Sequence, residues 1–170
     1  QNTITLNTVK LTARTQPYVM SADVVFDGVR VQRSRNFVLT GIPFHFEPPT
    51  TDTWEKNGDV TDDGDYARFG NWSGGSQSLT YKNVAIPAGT HLLLDYKFFT
   101  TSDLNNTFSI SAGDQTIVSA STSGYSEADR DGTESFTLSA ATTSIRCVNS
   151  YGAGLSRTDL YRVGMKYSQQ

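Results

Sequence analysis

Both tryptophans and three of the tyrosines occur in or beside segments that lack the apolar alternation of a strand. They are Trp54, Tyr66, Trp72, Tyr125 and Tyr151. An exposed aromatic ring stacks on the apolar face of a pyranose, while planar polar groups hydrogen-bond its hydroxyls. Polar side chains of this kind occur in the same segments, at Asn71, Asp129, Arg130, Asn149 and Arg157. The combination predicts a sugar-binding surface, and the alternative is that the rings cap the hydrophobic core.

A second group of residues that could do chemistry is acidic and spans residues 59–65, which read Asp-Val-Thr-Asp-Asp-Gly-Asp. Calcium takes six to eight oxygen ligands, and several often come from one short loop. Asp62, Asp63 and Asp65 are therefore candidate ligands of a structural calcium ion. The run lacks the glutamate that completes an EF-hand loop, so a solvated turn is the alternative interpretation.

Residues that could support catalysis are few. A nucleophile would need Cys147 or a serine beside a histidine, and the two histidines, His45 and His91, both lie on predicted strands. His45 and Glu47 share one strand face and form, with His91, a candidate trio for a transition metal. The glutamates occur in no recognisable glycosidase motif. We therefore expect a protein that is not an enzyme, and a metal-dependent enzyme using this trio is an alternative.

The composition limits the classes of partner. A length of 170 residues fits a single domain over residues 1–170. The net charge is −3 and no basic run occurs, which argues against nucleic-acid binding. No apolar run approaches the ~20 residues of a membrane-spanning helix. The single cysteine, Cys147, allows no intrachain disulfide, and we expect a buried thiol. Because the chain begins at Gln1, we expect a mature or trimmed form.

The elements that must position these residues are strands, because the apolar residues recur with a period of two. Residues 90–99 show the clearest alternation, Asp27-Gly28 is a hairpin-turn signal, and Pro48-Pro49 ends a strand. Polar stretches at 48–65, 121–132 and 150–158 are predicted loops. About ten short strands without a long helix predict an all-β, two-sheet antiparallel sandwich of jelly-roll type.

Five segments carry a resemblance to a known family. They are Gly64–Phe69 (GDYARF), Tyr81–His91 (YKNVAIPAGTH), Phe136–Leu138 (FTL), Thr143–Arg146 (TSIR) and Thr158–Val163 (TDLYRV). In this order they resemble the galactose-binding-like jelly roll of carbohydrate-binding modules of the family 6 and 35 kind. The resemblance covers about residues 64–167 and implies the same sandwich fold with non-catalytic binding of a polysaccharide or glycan.

The resemblance also implies where a site would lie. A cleft would form from loops at one end of the sandwich, including the loop that holds Asn149 and residues 151–157. A calcium ligand would lie near the last strand, at Asp159. The strand that opens such modules carries glutamates that help to bind calcium, whereas residues 4–8 here carry no carboxylate. A module of this kind is expected in a secreted or surface protein.

A second hypothesis keeps the same fold but changes the function. A structural or receptor-binding jelly roll of a virus, a phage or a cell-surface fibre would also combine short strands, polar loops and no disulfide. It predicts an oligomer in which apolar edges are buried between copies.

Overall fold

A computed structural model describes residues 18–37 and 44–168 of the chain. The predicted strands around Ile4 and Val9 and the residues around Ile42 lie outside these ranges. In the described ranges the chain forms strands and no helix. The strands are β1 (Tyr18–Phe26), β2 (Val29–Phe37), β3 (Phe44–Phe46), β4 (Glu55–Asn57), β5 (Val60–Asp62), β6 (Ala67–Ser73), β7 (Gln77–Tyr81), β8 (His91–Ser102), β9 (Asn105–Ala112), β10 (Gln115–Ser123), β11 (Ser126–Thr137), β12 (Ile145–Ala153) and β13 (Ser156–Tyr167).

The first two strands form a hairpin of their own. β1 and β2 pair antiparallel from Tyr18↔Phe37 to Phe26↔Val29. Asp27 and Gly28 both have positive φ, 48° and 74°, as a two-residue turn between right-twisted strands requires. The Asp-Gly turn predicted from the sequence is therefore confirmed.

The remaining strands form two sheets that pack as a sandwich. The five-stranded sheet has the order β10-β9-β12-β7-β4, and the six-stranded sheet has the order β11-β8-β13-β6-β5. β3 pairs with the far half of β13, at residues 163–165. All pairings are antiparallel. The predicted all-β, two-sheet sandwich of jelly-roll type is confirmed.

Aromatic and aliphatic side chains from both sheets fill the centre of the sandwich. On β8, Leu92, Leu94, Tyr96 and Phe98 point inward and are buried, as the alternation predicted. The ring of Phe98 lies 4.7 Å from that of Phe108 on the opposite sheet. Cys147 is buried in the same core, and the predicted buried thiol is confirmed.

A second aromatic cluster forms beside β3. Phe44 and Phe46 pack against Trp54 and Tyr81, with ring centroids 5.1 to 6.1 Å apart. Trp54 is 1% exposed, so neither face of its indole is open to a ligand. The prediction that Trp54 is a stacking platform is wrong, because two aromatic residues of β3 and Tyr81 enclose it.

The three predicted loops contain more strand than expected. Residues 48–65 include β4 and β5, residues 121–132 belong mostly to β10 and β11, and residues 150–158 belong mostly to β12 and β13. β10 and β11 are the edge strands of their sheets. An edge strand tolerates polar and charged residues that hide the period of two, which explains the error at residues 121–132.

Within residues 18–37 and 44–168, no helix is long and apolar enough to cross a membrane.

Candidate functional site

One end of the six-stranded sheet carries four exposed large hydrophobic side chains, which we call the end rim: Trp72, Leu104, Tyr125 and Leu155. Their exposed fractions are 43%, 51%, 88% and 42%. The register places them together, because Ser126, Ser102, Ser156 and Ser73 pair in one row across β11, β8, β13 and β6. Each rim residue lies one or two positions from a serine of that row. At ~4.8 Å between strands the row spans about 14 Å.

Three tight turns of the end rim are bonded to one another. The backbone N–H of Asp103 donates to Leu155 O at 3.0 Å, and that of Tyr125 donates to Asp103 O at 3.2 Å. The Asp103 carboxylate accepts from the Leu155 N–H at 2.5 Å. Gly154 leaves room for this carboxylate, since a Cβ there would overlap Asp103 Oδ1. The rim is therefore a built surface rather than a set of separate loops.

A bulge in β6 displays Trp72. Ser73 pairs with Ser156 and Phe69 with Thr158, so three residues of β6 oppose one of β13. Gly70 and Trp72 in the bulge have φ of 64° and 54°. The left-handed conformation costs a residue with a side chain roughly 1–2 kcal/mol. Bulges commonly re-aim a side chain beside functional sites, and here the strained residue is an exposed tryptophan.

Asp59 fixes the bulge from the neighbouring loop. Its carbonyl accepts from the Gly70 N–H at 2.8 Å. Its carboxylate accepts from Ser73 Oγ at 3.3 Å, and this hydroxyl also accepts from the Asn71 N–H. Asn71, Gly74 and Gly75 are residues typical of turns and predict a turn over residues 71–75, whereas the strand continues through the bulge to Ser73.

The outer side of the six-stranded sheet continues from the rim as a second surface, the sheet face. We define it by Tyr66, Arg68, Phe99, Arg157, Asp159 and Tyr161. Arg68, Asp159, Phe99 and Asp129 lie in one row across four strands. The sheet face thus brings together the predicted residues Tyr66, Arg157 and Asp159, which lie up to 93 positions apart in the sequence.

Interactions between charged groups and rings organise the sheet face. Arg68 Nη2 donates to Tyr66 Oη at 2.7 Å, and its guanidinium lies 4.7 Å from the centre of that ring. The Tyr66 and Tyr161 rings meet edge to face at 5.5 Å. The Arg157 guanidinium lies 5.6 Å from the Phe99 ring. Each contact has a cation–π or edge-to-face geometry, so the rings are held in place.

Asp159 is the buried charge of the sheet face, at 2% exposure. Arg68 Nε donates to its Oδ1 at 2.8 Å, and Arg157 Nε lies 3.4 Å from its Oδ2. The hydrogen bond with Asp159 raises the pKa of Arg68, while burial raises the pKa of the neighbouring Tyr161 phenol. Among the described residues, Arg157 Nε is buried and makes no hydrogen bond, although it lies at ion-pair distance from Asp159.

Two of the candidate calcium ligands, Asp62 and Asp63, already have protein partners. Asp62 accepts from the Thr51 N–H at 3.0 Å and from its hydroxyl at 2.7 Å. Asp63 Oδ2 lies 3.6 Å from Arg68 Nη1, and Asp65 is exposed in the turn between β5 and β6. In the part of the chain that the structure describes, no three acidic, histidine or cysteine side chains are grouped as a metal would require. The calcium site stays a prediction.

The candidate transition-metal trio is separated in the fold. His45 Nε2 lies 3.4 Å from Glu47 Oε2, whereas His91 Nδ1 bonds with the Thr137 hydroxyl at 2.8 Å. His45 lies on β3 opposite Gly164, and His91 begins β8 opposite Thr137.

Asn149 lies inside the sandwich rather than in a cleft. The prediction that its side chain binds a ligand is wrong, because the amide is 0% exposed and bonded to other buried polar groups. Its Oδ1 accepts from Asn106 Nδ2 at 2.6 Å and from Thr158 Oγ1 at 2.7 Å. Tyr151 pairs with Asn106 through the backbone of β12, and the structure does not describe its side chain.

Sequence reasoning missed part of the site. Phe99 and Tyr161 supply rings to the sheet face, and Arg68 supplies its central cation. Leu104 and Leu155 belong to the end rim. A usable signal existed at Phe99, because the alternation of β8 places it on the outer side with Lys97 and Asp95. Tyr161 gave none, since a register shift between Leu160 and Arg162 interrupts the alternation there.

Comparisons with known proteins agree with this architecture. No family model matches the chain, and no curated protein matches it. A solved structure described as a family 4 carbohydrate-binding module is 19% identical, with a TM-score of 0.50 over 69% of this chain and 96% of that one. The N-terminal cellulose-binding domain of β-1,4-glucanase C from Cellulomonas fimi is 16% identical, with a TM-score of 0.50 over 74% and 95%. The chain therefore has the β-sandwich fold of carbohydrate-binding modules.

Proposed function

We propose that this protein is a non-catalytic carbohydrate-binding module that binds a polysaccharide or glycan at the end rim and the adjoining sheet face. The observation that carries the proposal is Trp72. Its indole is 43% exposed on a residue with left-handed backbone. The strained backbone at Trp72 does not bury the indole in the core. It presents the ring at the surface, where a sugar could stack on it.

The surroundings of Trp72 supply what a sugar requires besides stacking. Arg157 occupies the position of β13 that faces the bulge, and its side chain is partly exposed beside the Phe99 ring. Asp129, on the edge strand β11, adds an exposed acceptor in the row of Phe99. Planar donors and acceptors beside aromatic rings discriminate the hydroxyls of a glycan.

The charges of the sheet face favour an uncharged ligand. Arg68 pairs with Asp159, and Arg162 pairs with Asp95 and Asp131, so little net charge is left to attract an ionic polymer. The proposal places the protein in a secreted or surface context, where polysaccharides are encountered. Because one structural neighbour is a cellulose-binding domain, soluble β-glucans are the first ligands to try.

The test is affinity electrophoresis followed by isothermal titration calorimetry against soluble β-glucan, xylan, mannan and galactan. We expect retardation by at least one class, and Trp72→Ala lowers the affinity about tenfold, because a ring that stacks on an aromatic side chain, as measured for nucleobases, is worth ~1–3 kcal/mol and about 1.4 kcal/mol is tenfold. Val29→Ala, which alters an exposed side chain of the separate hairpin, is the control. Absence of binding to every polymer, or wild-type affinity in Trp72→Ala, contradicts the proposal.

A further inference from the structure

The interior of the sandwich beneath the end rim is polar. Toward this end the inward positions change from aromatic residues to amides and hydroxyls that are at most 4% exposed. They include Gln77, Thr100, Asn106, Thr122, Asn149 and Thr158. A packed apolar layer would stabilise a sandwich at least as well as a buried hydrogen-bonded network. Stability alone therefore does not explain why this layer is polar.

Gln77 connects this layer to the segment that carries Trp72. Its Oε1 accepts from Asn149 Nδ2 at 2.7 Å, and its Nε2 donates to the carbonyl of Gly75 at 2.8 Å. Asn149 is held in turn by Asn106 and Thr158. The Gly75 carbonyl, in the turn after the bulge, is therefore anchored to the centre of the polar layer.

The other end of the same segment lies close to Gln77. A Cβ at Gly70 would lie 3.4 Å from Gln77 Oε1, an ordinary van der Waals contact, and 3.0 Å from the carbonyl of Ser156. The space between Gly70 and the Gln77 amide is therefore small. Gln77 bonds the segment after Trp72, at Gly75, and lies near its start at Gly70, while Asp59 accepts from the Gly70 N–H on the outside.

We infer that Gln77 is a positioning residue that, anchored by Asn149, holds residues 70–75 in the conformation that presents Trp72 at the end rim. This inference rests on the proposed function for its purpose, although the geometry stands without a ligand. The amide is suited to the role because one atom accepts from the interior while the other donates to the turn. An apolar side chain of the same size would leave the Asn149 donor and the Gly75 carbonyl unpaired.

The test reads the Trp72 indole directly. The chain has two tryptophans, so its ¹H–¹⁵N spectrum shows two indole N–H signals, and Trp72→Phe assigns them. In Gln77→Met, which keeps the side-chain length, we expect the Trp72 signal to shift or broaden while that of Trp54 stays in place. Thr122→Val is the matched control, because Thr122 bonds with Ser102 in the same layer and lies on β10, three strands away from the β7 strand of Gln77.

A second variant gives a rescue. In Gln77→Glu a protonated carboxyl donates to the Gly75 carbonyl and accepts from Asn149, whereas the ionised form repels that carbonyl. The Trp72 signal is expected at its wild-type position at low pH and displaced at high pH. A general loss of packing would move both indole signals and would not reverse on acidification.

The outcomes separate this inference from the proposed function. A displaced Trp72 signal in Gln77→Met, with at least a tenfold loss of affinity for the polymer that wild type binds, supports the positioning role. An unmoved signal in folded Gln77→Met, or a pH-independent signal in Gln77→Glu, overturns it even when wild type binds a glycan. If the signal moves but no polymer binds wild type, the proposed function fails and the positioning role stands.

Discussion

The carboxylate of Asp159 holds the guanidinium of Arg68 through two hydrogen bonds, of 2.8 and 3.3 Å. The carboxylate is nearly fully buried and the guanidinium is partly exposed. Removing one partner of such a pair leaves a charge without compensation. We expect Asp159→Asn to lower the free energy of unfolding by about 1–3 kcal/mol, a buried-pair penalty reduced for solvent screening of Arg68. Urea denaturation measures the loss.

A matched control exists on the same sheet. Arg162 donates to Asp95 at 3.0 and 3.1 Å, with similar geometry, but Asp95 is 33% exposed in its side chain. Asp95→Asn is expected to cost less than about 1 kcal/mol. Equal losses in the two variants would show that burial does not set the strength of the Asp159 pair.

The left-handed backbone at Trp72 predicts that glycine is more stable than alanine at this position, the reverse of the usual order in a strand. With φ at 54°, Trp72→Gly is expected to be more stable than Trp72→Ala by about 1 kcal/mol, because alanine keeps the Cβ clash and glycine does not. At Ser119, an exposed position in strand β10, glycine is expected to be less stable than alanine by about 0.5–1 kcal/mol. Thermal unfolding of the four variants tests this, and the same sign at both positions would contradict it.

Calcium binding at residues 62–65 makes a separate prediction. An ion that binds the folded state raises its stability by about 2.7 kcal/mol at a concentration of 100 Kd. We expect Ca²⁺ to raise the Tm, a chelator to reverse the rise, and Asp62→Asn to abolish it. Asp114→Asn, at a turn between other strands, is the control. A Tm that does not respond to Ca²⁺ in the wild type would remove the calcium hypothesis.

Features that depend on local chemistry were predictable from the sequence. Asp27-Gly28 specified a hairpin turn, and the alternation in residues 90–99 specified β8. The loop predicted at residues 121–132 was wrong, because the edge strand β11 carries its few apolar side chains among charged ones. The prediction for Asn149 was wrong for a different reason, since the pattern treats a polar residue as outward whereas Asn149 and Asn106 are hydrogen-bonded to each other inside the sandwich.

The same contrast separates the candidate site residues. Trp72 and Tyr125 follow turn signals, and their exposure could be expected. Trp54 also lies among turn-forming residues but is enclosed by Phe44, Phe46 and Tyr81. The residues flanking Trp54 in the sequence do not indicate this tertiary contact. The sheet face requires Arg68 and Asp159 to pair across 91 positions of sequence, which no local pattern contains.

The thiol of Cys147 is expected to be inert in the folded protein. The side chain is fully buried, and burial raises the pKa of its thiol, so the reactive thiolate is scarce at neutral pH. A colorimetric thiol reagent should report no reaction on the timescale of minutes without denaturant and one thiol per chain in guanidinium chloride. Rapid labelling under native conditions would show that the core opens easily around β12.

Alkaline pH is expected to weaken the fold through Tyr161. Burial, and secondarily the charge of Asp159, raise the pKa of its phenol, while Arg157 lowers it. A group with a folded-state pKa above its unfolded value of about 10 contributes stability that is complete below that value. The contribution is lost as the pH rises through the folded-state pKa. Tyr161→Phe should therefore lose less stability than wild type as the pH rises above ~10. Asp159→Asn should lower the Tyr161 pKa, as followed by tyrosinate absorbance, because the acidic neighbour is gone and Arg157 remains. A Tyr161→Phe profile parallel to wild type throughout this range would assign the alkaline loss to other groups.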